Sequence, residues 1–132
     1  QEQLKKWPKM IEQRRANTVI AEKYFNTPYI RLQYETGISS WFGFGVNLFG
    51  VLEGRRDEVI AELSKHGVDS RPIVAGNFTK NPVISRMNCC PLGVYPNADY
   101  IDQNGFFLGN DCVDLSQKIM KTAEVLEKLA TK

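Results

Sequence analysis

The segment Trp41-Phe42-Gly43-Phe44-Gly45-Val46-Asn47-Leu48-Phe49 constrains the fold of this chain more than any other. Phe42, Phe44, Val46 and Leu48 alternate with Trp41, Gly43, Gly45 and Asn47, the period-two pattern of a strand with one buried face. So apolar a face needs a core against it. The opposite face is nearly bare of side chains, which predicts that a helix or another domain approaches the sheet closely there. Tyr29-Ile30-Arg31-Leu32-Gln33-Tyr34 is branched and aromatic enough for a second strand, and a turn at Thr36-Gly37 returns the chain, so the two should pair antiparallel.

Helical periodicity frames this pair. Pro8 suits a first helical turn, and Met10, Ile11, Arg14, Ala21, Tyr24 and Phe25 recur at three- and four-residue steps, predicting one amphipathic helix over about 9–25. Gln1 to Trp7 has a helical composition without a start signal, so the chain is expected to be a piece of something longer. A second helix is expected over Arg55 to His66, with Val59, Ile60 and Leu63 buried and Gly67 as a left-handed stop. Val68 to Val74 reads as a short strand, 75–95 as a long loop, Pro96 to Ile101 as a short helix ended by Asn104-Gly105, and Phe106-Phe107-Leu108 as a further strand. Asp114, with Gln117 three residues on, has a capping-box pattern for a last helix whose stripe is Ile119, Ala123, Leu126 and Ala130. The sum is an α/β (α+β) domain over 1–132, a short and mainly antiparallel sheet flanked by helices. With 132 residues, 42% of them hydrophobic, such a domain can bury its core without disulfides or metal.

Charge and cysteine usage exclude several classes. The net charge is +2, and Glu12 and Glu22 interrupt the basic residues Lys9, Arg14, Arg15 and Lys23, so a solvated surface is expected and no nucleic acid as partner. No apolar run approaches the roughly 20 residues that span a bilayer, so no membrane association is expected. Cys89, Cys90 and Cys112 cannot all pair within one chain, which points to a reducing, cytoplasmic setting with buried structural thiols. They lack the C-x-x-C spacing of a metal site. His66 is the single histidine and falls where a helix carboxyl end favours a cation, so it reads as a cap. Gly43 and Gly45 do not make a dinucleotide loop, because Leu48 stands where the third glycine belongs and no helix opens after it.

Chemistry is therefore expected in the long loop and the stretch that leads into it, Asp69-Ser70-Arg71-Pro72-Ile73-Val74-Ala75-Gly76-Asn77-Phe78-Thr79-Lys80-Asn81-Pro82. Pro72 holds Arg71 extended and gives its planar five-donor fork a defined direction, suited to a carboxylate or phosphate. Asn77 and Asn81 offer amide donors and acceptors, and Gly76 lets backbone come close to a ligand. A surface pair of Arg71 with Asp69, with both asparagines forming turns, accounts for the same residues equally well.

Ser70 to Asn81, with Pro96-Asn97-Ala98-Asp99-Tyr100-Ile101 and Asn104-Gly105-Phe106-Phe107-Leu108-Gly109-Asn110, resembles the carboxyl-terminal domain of the DegT-type family of vitamin-B6-dependent sugar aminotransferases and dehydratases. Within it these residues look like the 3-dehydratase branch, which acts on nucleotide-linked 4-keto-6-deoxyhexoses. Ile11 to Asn17, Ser40 to Phe44 and Arg55 to Val68 extend the resemblance over nearly the whole chain. It implies the small domain of a fold-type I enzyme of deoxysugar (lipopolysaccharide O-antigen) biosynthesis. In such an enzyme a large amino-terminal domain, absent here, holds pyridoxal or pyridoxamine phosphate (PLP or PMP), and this domain closes over the sugar. The implied partners are that PLP-binding domain, the nucleotide-linked sugar and a second copy in a homodimer, with an iron–sulfur reductase as a further candidate. The chain alone is expected to hold no cofactor, no metal and no catalytic residue, since neither His66 nor Lys80 matches the family's catalytic histidine or cofactor lysine. Asp69, Arg71, Asn77 and Asn81 are the substrate-binding positions carried over, Arg71 toward an anionic group. Histidines expected near Leu92 and Asp111 are missing, which leaves the sugar open. A DegT-type aminotransferase, or a non-catalytic binding module of the same fold, remains the alternative.

Overall fold

The computed structural model describes residues 1–90 and 92–132. Four strands, β1 (Ile30–Leu32), β2 (Gly43–Leu48), β3 (Ser70–Pro72) and β4 (Gly105–Gly109), form one antiparallel sheet in the order β1-β2-β4-β3. The pairing expected from the two aromatic segments is present, with Ile30 opposite Leu48 and Leu32 opposite Val46. Ile30, Leu32, Phe44, Val46, Leu48, Phe106 and Leu108 are buried in a single core with residues of three helices, α1 (Glu2–Tyr24), α2 (Arg56–Lys65) and α4 (Ser116–Ala130). A fourth helix, α3 (Pro96–Asn104), runs directly into β4 and packs against β2 and β4.

Trp41 and Phe42 exchange the faces that the alternation assigns them. Trp41 has φ = 52°, a left-handed conformation that shifts the phase of the pattern, and β2 begins only at Gly43. Trp41 turns inward, 2% exposed, with its ring 6.3 Å from that of Phe44, while Phe42 turns outward and is 73% exposed. Because the exchange buries one aromatic and exposes the other, the area term largely cancels. The Trp41 conformation is held by its backbone bonds: Trp41 N donates to Ser39 Oγ at 2.9 Å and Trp41 O accepts from Asn110 Nδ2 at 2.9 Å.

The first helix starts at Glu2 and carries Pro8 inside it, rather than beginning at about residue 9. Proline forfeits one backbone bond there, and the helix-forming residues ahead of it, with a Lys5–Glu2 contact of 2.7 Å, sustain the turn. Leu115, not Asp114, takes the cap position of the last helix; Asp114 Oδ1 accepts from Ser116 N at 2.8 Å from two residues before the helix, whose buried stripe is Ile119, Thr122, Val125, Leu126 and Leu129. Ala123 and Ala130 are only partly buried at its edge. The cysteines depart from expectation. Cys89 and Cys90 are exposed and Cys112 half-buried, because the first two lie in an irregular segment with no core beneath it. The strand expected over Val68 to Val74 shrinks to Ser70–Pro72. The loop over 75–95 contains two 3-10 turns, Phe78–Lys80 and Pro82–Arg86; Pro91 within it lies outside the described residues.

Candidate functional site

The sheet face turned away from the core is floored by glycine. Register places Gly43 opposite Gly109, Gly45 opposite Phe107 and Asn47 opposite Gly105, all with side-chain directions on this face. A Cβ on Gly43 would collide with the Phe107 ring and come within 2.6 Å of Leu108 O, so Phe107 lies flat across the strand only because residue 43 is glycine. Gln33 covers Gly45 in the same way and accepts its N–H at 3.0 Å through Oε1. Phe42 stacks on Phe107 with centroids 6.0 Å apart, and the Arg14 guanidinium sits 5.8 Å above the Phe42 ring. At the other end α3 closes over the row of Asn47 and Gly105, where Ile101 O and Ile73 occupy the space above Gly105. Tyr100 of that helix donates to Leu48 O at 2.9 Å, and burial pushes its phenol pKa up.

Arg71 pairs with Phe107 across β3 and β4, so its guanidinium stands on the edge of this face. It is exposed, and among the described residues it makes no ion pair or side-chain hydrogen bond, Asp69 included. Asp69 and Phe107 line a cleft of about 660 Å³ between the end of α2, the end of β4 and α4. The structure therefore gathers Asp69 and Arg71 around Phe107.

Asn77 and Asn81 lie elsewhere, and their amides are used to shape the loop. Asn77 is buried; its Oδ1 accepts from Thr79 N at 3.0 Å and Thr79 Oγ1 at 2.6 Å, and its Nδ2 donates to Asp99 Oδ1 at 2.8 Å. Asn81 Oδ1 accepts from Val83 N at 3.0 Å. Both are Asx turns, the local bonding that asparagine offers where chain direction changes. Lys80 Nζ lies 2.6 Å from Asp99 Oδ1 and 3.5 Å from Asp102 Oδ2. The bond from Lys80, and after it the one from Asn77, holds the Asp99 carboxyl below the usual carboxylate range, and Lys80 is raised in return. Gly76 has φ = 47° and a Cβ there would strike Asp102, so the turn closes only with glycine. His66 ends α2 with Nδ1 2.9 Å from Glu62 O, a capping contact.

An unpaired guanidinium beside a flat aromatic pair suits a planar or anionic group. Among the described residues no group of three or more His, Cys, Asp or Glu side chains is placed to hold a metal ion, and no helix is long and apolar enough to cross a membrane. Sequence reasoning missed the Phe42–Phe107 stack, which depends on the reversal at Trp41. It also missed Asp99 and Asp102, whose spacing of three on a helix was the available signal.

No family model matches the chain. It is 43% identical over 129 residues to a GDP-4-keto-6-deoxy-D-mannose 3-dehydratase of Yersinia pseudotuberculosis, a match covering 96% of this chain and 33% of that protein. The solved structure of E. coli GDP-4-keto-6-deoxy-D-mannose-3-dehydratase with bound hydrated PLP superposes with a TM-score of 0.88 at 39% identity, over 95% of this chain and 33% of that one. S. venezuelae DesV, in complex with a ketimine intermediate, is 18% identical with a TM-score of 0.76 and shares the fold. The chain thus spans about one third of the length of the relatives it matches, and the matching portion of the dehydratases is their carboxyl-terminal third.

Proposed function

From the homology of this chain with the carboxyl-terminal third of the GDP-sugar 3-dehydratases, we propose that it is the small domain of a PLP- or PMP-dependent nucleotide-sugar 3-dehydratase and closes over the sugar substrate. The observation that carries the reading is identity of 43% spread over 96% of the chain, which far exceeds what a shared fold requires. In this reading a further domain holds the cofactor, two copies of the enzyme form the working unit, and an iron–sulfur reductase is a candidate partner.

The cofactor does not fit the side chains of this chain. Lys80 is engaged by Asp99 and Asp102, and His66 is spent on the end of α2. When bound to its own domain, such a cofactor supplies the electron sink for chemistry next to the sugar ketone. This chain's share is position and charge. Arg71 meets an anionic group of the ligand, Asp69 lies on the adjoining cleft, and Asn77 and Asn81 hold the loop that borders the sugar.

The test uses the enzyme that carries this domain, supplied with PLP, an amino donor and GDP-4-keto-6-deoxymannose. Loss of the C3 hydroxyl is expected, and Arg71→Ala should raise the sugar or donor KM about tenfold. An amino sugar as the only product favours the aminotransferase reading. Unchanged kinetics in the Arg71 variant would remove that residue from the site.

A further inference from the structure

The loop between β3 and α3 has an unusual support. Among the described residues its backbone hydrogen bonds stay inside it, namely Lys80 to Asn77, Asn81 to Phe78, Ile84 to Asn81 and Met87 to Ile84, apart from the bond of Asp99 N to Tyr95 O where α3 opens. Its polar ties to the rest of the fold are Asn77 to Asp99 and Lys80 to Asp99 and Asp102. The loop is therefore suspended from one helix face. That helix is firmly held. Arg56 donates to Asp102 O, Asn104 Oδ1 accepts from Gly54 N at 2.7 Å, and Tyr100 is bonded to β2.

We propose that Asp99 is a positioning residue: by accepting from Asn77 and Lys80 through one carboxylate oxygen, it holds the 76–81 turn in its ligand-ready place before the sugar arrives. The inference rests on the reading of this loop as the border of the sugar site. Asn77 transmits the constraint, because its amide cannot rotate without giving up its bonds to Thr79 as well as that to Asp99. Asp102 sets the second boundary by filling the space above Gly76. Without Asp99 the loop samples other positions, and the ligand must select the right one. That weakens apparent binding by the fraction of competent molecules and leaves the bound state little changed.

This role separates from a merely structural one. A half-exposed ion pair adds little to global stability. Asp99→Ala also removes the acceptor of the buried Asn77 amide, so the Tm of the chain should fall by no more than a few degrees, while hydrogen exchange at the Lys80 and Asn81 amides rises about tenfold. In the enzyme carrying the domain, KM for the nucleotide sugar should rise about tenfold with kcat within about twofold, and Asp99→Glu should restore most of the loss. If Asp99→Ala fails to fold, Lys80→Met, which removes only the ammonium, takes its place. Unchanged exchange at Lys80 and Asn81 would overturn the latch. Faster exchange with unchanged KM would overturn the positioning role. A wild-type enzyme that converts no nucleotide sugar would overturn the function reading, and this role with it; the wild-type control tells that failure from the other two.

Discussion

Asn17 offers a stability test whose size follows from its partners. It sits in α1 with no exposed surface. Its Nδ2 donates to Asn110 Oδ1 at 3.0 Å, Asp111 O at 3.2 Å and Val113 O at 2.9 Å, and its Oδ1 accepts from Leu115 N at 3.1 Å. Asn110 continues the network, donating to Arg14 O at 3.0 Å and Trp41 O at 2.9 Å. One amide thus joins the first helix to the turn before the last, and through Asn110 it supports the left-handed Trp41. Asn17→Leu keeps the branched shape and removes every side-chain bond. Asn110 Oδ1 and Leu115 N are left buried without their partner, at about 1–3 kcal/mol each. The leucine returns roughly 1–2 kcal/mol through helix propensity and apolar burial. The net expectation is a loss of about 3 kcal/mol, a large part of the ~5–15 kcal/mol that holds a domain together. With a urea m-value near 2 kcal/mol/M, the unfolding midpoint followed by circular dichroism should fall by about 1.5 M. Gln13→Ala, which removes only the side-chain donor on the solvent side of Asn17, should shift it by less than about 0.3 M. A midpoint for Asn17→Leu as close to wild type as that control would refute the claim that these buried amides hold the helices together.

Gly43→Val should destabilise the chain by roughly 1–3 kcal/mol, because the new Cβ meets the Phe107 ring and the Leu108 carbonyl at once. A melting temperature within about 1 °C of wild type would show that the face has more room than the register allows. The Asp99–Lys80 pair should be sensitive only at the ends of the pH range. The Asp99 carboxyl is lowered, so its contribution is present above the unfolded value near 3.9 and is lost as pH falls through the folded one. Lys80 is raised, so its contribution is present below about 10.4 and is lost as pH rises through its folded value. The Asn77 side-chain amide resonance should therefore hold steady between about pH 5 and 9 and move below about pH 4, and a midpoint near neutrality would contradict the assignment.

Several elements are legible in the sequence. β1 and β2 pair as the aromatic runs on either side of Thr36-Gly37 indicated, α2 stops at the left-handed Gly67, and α3 opens at Pro96. The near-bare face of β2 predicts a helix or another domain close above it, whereas what covers its glycines within this chain is the Phe107 ring of the neighbouring strand and the Gln33 amide. Other features were not legible. A hydrophobic alternation carries no mark of a single left-handed residue, so it places Trp41 and Phe42 on each other's faces. In the sequence Asn17 and Asn110 are indistinguishable from solvated side chains, because their partners lie across the fold, and Asn77 has one amide that suits a ligand or Asp99 equally.

The amino-acid sequence by itself determined the elements whose causes are local: strand period, helix stops and turn chemistry act within a few residues and are written in them. It also carries the similarity to the carboxyl-terminal third of the GDP-sugar 3-dehydratases, 43% identical over 96% of the chain. Only the tertiary structure decided which polar groups are spent inside the fold and which stay available. That depends on partners 93 residues away for Asn17 and 22 for Asn77, and on Arg71 being left with none among the described residues. Hydrogen-bond satisfaction is settled by whatever group lies across the packed interior, and no local pattern encodes that neighbour.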